Sequence, residues 1–399
     1  MTLNRRKFLS NAAIASGAAL SPWRLALGDS KNSGADSDRI LVVVELSGGN
    51  DGLNSIVPYA DDAYYHHRPS IGIKKPDLLR LDDHFGFNPG MLGFERLWQS
   101  GDLAIVHGCG YDNPSFSHFT SMANWHTAAP NGGDEYGWMG RLADSMNPRA
   151  TPNSIIGVGS TQSLAVKSQY QTPVVFDDPS RFQRDGFVQQ TDILNSISIA
   201  DNANATRRYL NQVASGALAS SSLIRDAWEH YQTPVDYGIA PMDLPKVAAC
   251  INKGLATRLY HVSFRNNAFD THVQQPALQR RLLSYACDGI HGFVRDLERL
   301  GLSDRVAVMV YSEFGRRVPE NANLGTDHGS ANVMFFAGSA VNGGHYGEMP
   351  SLTDLTPGDN LKHTTDFREV YATAINGWLQ QKSANQVLKA SFKPLPVFG

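Results

Sequence analysis

Val306-Ala307-Val308-Met309-Val310-Tyr311-Ser312-Glu313-Phe314-Gly315-Arg316-Arg317 is a short apolar, β-branched run that stops at a charged segment. A run of this length, ended by polar residues, is the pattern of a strand buried on both faces of a parallel sheet. Further on, a polar loop reaches Gly325-Thr326-Asp327-His328-Gly329. A second apolar run, Asn332 to Phe336, then leads into the glycine-rich stretch Gly338 to Gly344. That stretch lacks a phosphate-loop lysine and reads as a turn. In open α/β sheets, ligands bind beyond the carboxyl ends of the strands. A carboxylate, Glu313, with Tyr311 and an Asp-His pair stand in that place here, which points to a metal-bearing hydrolytic site.

Upstream, the same rhythm recurs. Arg39 to Leu46 is a central strand that breaks into Ser47-Gly48-Gly49-Asn50-Asp51-Gly52. The glycines permit a sharp turn that presents Asp51, although turn chemistry alone also accounts for Asn50-Asp51-Gly52. Met91 to Gln99 has helical spacing, and Leu103 to Val106 is a second strand. After it, Ser117 sits at the expected start of a helix over 118–127. A serine there either caps the helix or lies where the positive helix end favours attack on an anion. Lys246 to Lys253 reads as helix and Thr257 to Phe264 as strand, followed by Asp270 and His272. Gln275 to Leu300 is a long amphipathic helix with apolar residues near a 3.6 period. Thr364-Thr365 opens a last helix that runs to Leu379.

The 399 residues, 42% hydrophobic and 18% charged, suit one α/β domain over 39–399 with a helical and β insertion at about 128–245. Within that insertion, Ile155–Val158, Leu164–Val166 and Val174–Phe176 read as strands, and Asp192 to Trp228 as a helical lid or outer layer. A formal charge of −3 gives no basis for a nucleic-acid or anionic-membrane partner. Cys109, Cys250 and Cys287 are far apart, without zinc or redox spacing, and leave room for one bridge at most. Arg5-Arg6-Lys7-Phe8-Leu9 and the small-residue apolar stretch from Ala12 read as a twin-arginine signal over 1–28, with a linker over 29–38. The expected location is periplasmic or secreted, with the twin-arginine translocase as a transient partner. The apolar stretch is too short to span a bilayer, and no later one is long enough.

Four post-strand loops thus carry ligand-type residues: Asp51; Ser117 with His118; Asp270 with His272; and Glu313 with Asp327 and His328. Carboxylates and imidazoles suit Zn, Mn, Fe, Mg or Ca, as one ion or two. Two ions roughly 4 Å apart would clamp both oxygens of a phosphoryl or sulfuryl ester. Arg316 and Arg317 are placed to hold its anionic oxygens. His118 orients Ser117, touches the substrate or plays a structural part. His66-His67 reads as surface, His107 as a strand-end core histidine, and His345 and His363 as loop residues.

The motifs Gly48-Gly49-Asn50-Asp51-Gly52-Leu53-Asn54, Ser117-His118-Phe119, Phe269-Asp270-Thr271-His272, Ser312-Glu313-Phe314-Gly315-Arg316 and Gly325-Thr326-Asp327-His328-Gly329 resemble those of the DUF1501 proteins. These are exported bacterial proteins grouped with the alkaline phosphatase and sulfatase superfamily. The resemblance implies an alkaline phosphatase-like, mostly parallel sheet flanked by helices. It also implies Asp51 as an early ligand, Ser117 as nucleophile, Asp270 and His272 as a middle pair and His328 as the last ligand. The substrate would be a small-molecule or polymer ester. The departure is Glu313-Phe314, where the superfamily places Asp-His: Phe314 cannot bind metal, although Asp327 can compensate. This leaves open one ion, two, or a binding or assembly protein that kept the fold without turnover.

Overall fold

The computed structural model describes residues 38–149, 151–182, 219–264 and 266–399. The expected signal, nearly all of the linker and most of the 192–228 stretch lie outside them. At the centre is a nine-stranded sheet. Its strands are β1 (Ile40–Leu46), β2 (Leu103–Gly110), β3 (Ile155–Val158), β4 (Val174–Phe176), β5 (Leu259–Phe264), β6 (Val306–Tyr311), β7 (Asn332–Ala337), β8 (Gly344–Tyr346) and β9 (Thr365–Asp366). They lie in the order β8-β2-β7-β6-β1-β5-β3-β4, with β9 also against β2. Among these strands only β7 runs antiparallel to its neighbours. The other pairings are parallel.

β1 and β6 are buried along their whole length, as their unbroken apolar runs require. Alternate residues serve two cores, because successive side chains of a strand point to opposite faces. Val42 and Val44 face one core with the helices α1 (Leu92–Gln99), α4 (Leu244–Asn252) and α5 (Gln275–Arg299). Leu41 and Val43 face the other, with α2 (His118–Thr127), α3 (Trp138–Met146) and α6 (Phe367–Ala372). Trp125, Trp138 and Tyr371 fill that second layer, the Trp138 and Tyr371 rings stacking at 4.4 Å. Buried aromatic pairs of this kind contribute about 0.5–1.5 kcal/mol beyond their area.

Several expectations are corrected. The two apolar runs at 155–158 and 174–176 are strands of the main sheet, not of a separate insertion. Leu164–Val166 is a 3₁₀ turn, because the Ser163 hydroxyl accepts from Ala165 N and caps it. β2 continues past Val106 to Gly110, so His107 lies inside the sheet. The last helix begins at Phe367, capped by the Asp366 carboxylate rather than by a threonine, and ends in a π-helical turn over Thr373–Trp378. All three cysteines are free and buried, so no bridge forms. No helix among the described residues is long and apolar enough to cross a membrane.

Candidate metal centre

β1, β2, β5 and β6 point the same way and release the chain at one edge of the sheet. β7 runs in the opposite sense and begins there. His328, just upstream of β7, therefore meets residues just downstream of the others. The exit of β1 is tight. Gly48 has φ +121°, and a Cβ on it would lie 2.5 Å from Asp270 N, so only glycine lets the β1 loop rest on the β5 loop.

At this edge the Asp270 carboxylate gathers three imidazoles. Its Oδ1 lies 3.0 Å from His272 Nε2 and 3.1 Å from His328 Nε2. Its Oδ2 lies 3.3 Å from His118 Nε2. Each ring is held from behind at Nδ1: His118 by Glu313 Oε1 at 2.8 Å, His328 by the Phe116 carbonyl at 2.7 Å, His272 by Asp327 Oδ1 at 3.4 Å. Carbonyls and carboxylates only accept, so each Nδ1 carries a proton and each ring turns its Nε2 inward, as a lone pair in the neutral tautomer. His272 Nε2 and His328 Nε2 then face each other at 2.9 Å. Two lone pairs at that separation need a proton or a cation between them. His118 Nε2 is buried and makes no hydrogen bond. Nitrogen and oxygen donors converging with an unpartnered buried nitrogen fit a bound divalent ion. Acceptors that fix Nδ1 are the usual second layer of such a site.

The electrostatics pull in two directions: the carboxylate of the centre is held ionised, while His118 is inclined to hold a proton that a bound cation would displace. The hydrogen bond to Glu313 raises the His118 pKa, against the effect of burial. Burial alone would raise the Asp270 pKa, but the hydrogen bond and charge of Arg316 outweigh it and bring it to about 2. Burial lowers the pKa of His328 and keeps it neutral. Glu313 is fully buried and also accepts from Gly48 N at 2.9 Å.

The family described as protein of unknown function (DUF1501) matches residues 38–377. The chain belongs to the DUF1501 family. No curated protein matches its sequence. Among solved structures, the phosphonate monoester hydrolase SpPMH from Silicibacter pomeroyi aligns at 9% identity over 90% of this chain and 76% of its own, with a TM-score of 0.37. The C-terminal periplasmic domain of EcEptC from Escherichia coli, in complex with Zn, aligns at 8% identity over 77% of this chain and 75% of its own, with a TM-score of 0.35. The PsFucS1 sulfatase from Pseudoalteromonas sp. aligns at 11% identity over 90% and 70%, with a TM-score of 0.35.

In this DUF1501 protein the expected site residues fall into three groups. Asp270, His272, His328 and His118 share the centre. His118 was expected to serve Ser117, substrate or the fold, yet it presents its own nitrogen to the carboxylate. Glu313 and Asp327 stand one layer back, each on an imidazole. Asp51 is elsewhere: its Oδ2 pairs with Arg68 Nη1 at 2.7 Å and accepts from Gln275 Nε2 at 2.6 Å, fully buried. A carboxylate already neutralised by a buried guanidinium is not poised to bind an ion. Arg316 is also buried and points at protein. It donates to the carbonyls of Gly49, Thr326, Gly48 and Phe269 and to Asp270 Oδ1. It therefore positions Asp270 instead of gripping substrate oxygens. Ser117 is exposed at the start of α2 and makes no capping bond with its side chain. Phe314 packs its ring 5.0 Å from that of His118 and 4.6 Å from that of His328, in space that any side chain on Gly49 would fill.

Proposed function

We propose that this protein is an exported hydrolase of phosphate or sulfate esters. It would use one divalent ion held by His118, Asp270, His272 and His328, with Ser117 as nucleophile. One observation carries the reading: the inward-facing nitrogens of His272 and His328, 2.9 Å apart over the Asp270 carboxylate. An imidazole-rich donor set favours Zn, Mn or Fe over Mg or Ca. A bound ion there supplies Lewis acidity, which polarises an ester oxygen and lowers the pKa of a nearby hydroxyl.

The chain's own groups do the rest. Ser117 keeps its hydroxyl uncommitted beside His118. The amino end of the ten-residue α2 favours anionic oxygens next to it. Asp270, with its pKa near 2, remains an ionised ligand at all physiological pH values. Arg5-Arg6 supports export through the twin-arginine translocase.

The deciding experiment combines elemental analysis of the purified mature protein with a screen of phosphate and sulfate esters. At least one divalent ion per chain, lost from the edge centre in His272→Ala/His328→Ala, and ester turnover lost in Ser117→Ala are expected. A Ser117→Ala protein with full turnover would remove the serine from the mechanism. Phe314 favours a second reading, a binding protein that keeps the ion without turnover, because a buried aromatic ring stands where the superfamily has an imidazole. A stoichiometric ion with every ester inert would select that reading.

A further inference from the structure

A second cluster of ligand-type atoms lies inside the molecule, apart from the edge centre. Glu45 is the one charged residue in the run of β1 and is 3% exposed. Burying a lone carboxylate costs several kcal/mol, so such a group is paired or binds metal. In register beside it, β5 supplies Ser263 and β6 supplies Tyr311. The Tyr311 hydroxyl donates to Glu45 Oε2 at 2.7 Å and Ser263 Oγ to Oε1 at 3.0 Å. From α2, His126 Nε2 lies 2.5 Å from Oε2. From β5, His261 Nε2 lies 3.4 Å from the same oxygen. His261 is 3% exposed and its Nε2 has no hydrogen-bond partner. A buried nitrogen left that way costs about 1–3 kcal/mol.

We propose that Glu45, His126 and His261, with the Tyr311 hydroxyl beside them, form a second, buried divalent-cation site. One ligand atom from each of the first three residues lies within 4.8 Å of the others. The two imidazoles come from different elements, α2 and β5, with their planes at 88°. Two imidazoles and a carboxylate select Zn, Mn or Fe over Mg or Ca. The three residues are all buried, and a closed site of this kind is structural, since catalytic sites keep a position open. Its role is to tie α2 to β1 and β5. Because His118 opens α2 and His126 lies in its last turn, the ion would fix the helix that carries part of the edge centre. The inference does not depend on the proposed esterase activity.

The test separates the two centres. In a His272→Ala/His328→Ala protein, elemental analysis after incubation with Zn or Mn and exhaustive dialysis is expected to find close to one ion per chain, slow to leave on addition of chelator. Adding His261→Gln is expected to remove it. Co(II) loaded into the double variant is expected to give visible bands of low-symmetry imidazole ligation. A folded double variant, checked by circular dichroism, that takes up no ion would overturn the proposal. So would a folded triple variant that keeps its ion. If the triple variant does not fold, uptake of metal and the Co(II) bands in the double variant decide alone.

Discussion

Glu313 Oε1 lies 2.8 Å from His118 Nδ1 and, in the same buried position, accepts from Gly48 N. One carboxylate thus sets the tautomer of an imidazole and clamps the exit loop of β1. Glu313→Gln keeps the shape and an acceptor but removes the charge. Metal affinity is expected to fall about 10–100-fold, the usual effect of losing a partner behind a ligand. Competition against a chromophoric chelator measures it. Unchanged affinity would make Glu313 a loop clamp only.

Arg316→Met is expected to unfold the edge rather than merely slow it. Four carbonyls and Asp270 would lose their donor. Breaking a buried charged network by removing one member costs on the order of 3–5 kcal/mol. Arg316→Lys recovers little, because one ammonium cannot reproduce the guanidinium fork. Guanidinium chloride unfolding reads the loss. Native stability together with collapsed ester turnover would return Arg316 to substrate binding.

Asp51 and Arg68 form a buried pair at 2.7 Å. Asp51→Ala should lower stability by about 3–5 kcal/mol while the bound metal per chain stays constant. With Arg68→Met added, the double variant should lose less than the sum of the two single losses, since the pair is coupled. A protein that folds normally but loses one ion on Asp51→Ala would instead make Asp51 a ligand.

His107 gives the fold a dependence on acid. Burial, and then the charge of His345, push its pKa down from 6.5 to about 4. Its Nε2 lies 2.8 Å from His345 Nδ1. Between these two pH values the unfolded chain takes up a proton that the folded chain refuses. Stability is therefore full above the unfolded value and declines as pH falls from 6.5 towards 4, by up to about 3 kcal/mol. Urea unfolding near pH 7.5 and near pH 5 should show the decline in the native protein and a smaller one in His107→Phe. Equal acid sensitivity in both would place the titration elsewhere.

The sheet was legible because its central strands are buried on both faces, so β1 and β6 appear as unbroken apolar runs. α5 was legible from its 3.6 period. Other features depend on partners far along the chain. Asn50-Asp51-Gly52 has the same local appearance whether Asp51 meets an ion or Arg68, 17 residues later. The same holds for Arg316, whose acceptors come from three separate loops. Leu164–Val166 is as apolar as a strand, and only the Ser163 cap turns it. Glu45 and His261 did carry a signal, a charged or ionisable residue inside an apolar strand. An apolar run hides it, because one ionisable residue among six or seven strand positions barely alters the pattern.

The burial of Cys109, Cys250 and Cys287 has a practical consequence. Burial raises all three thiol pKa values, that of Cys250 to about 12, so the reactive thiolate is scarce as well as sealed in. An alkylating reagent will therefore label this protein only as fast as it opens. Since the three sulfurs sit on β2, α4 and α5, mass spectrometry of the labelled peptides can time the breathing of the sheet and of two helices separately.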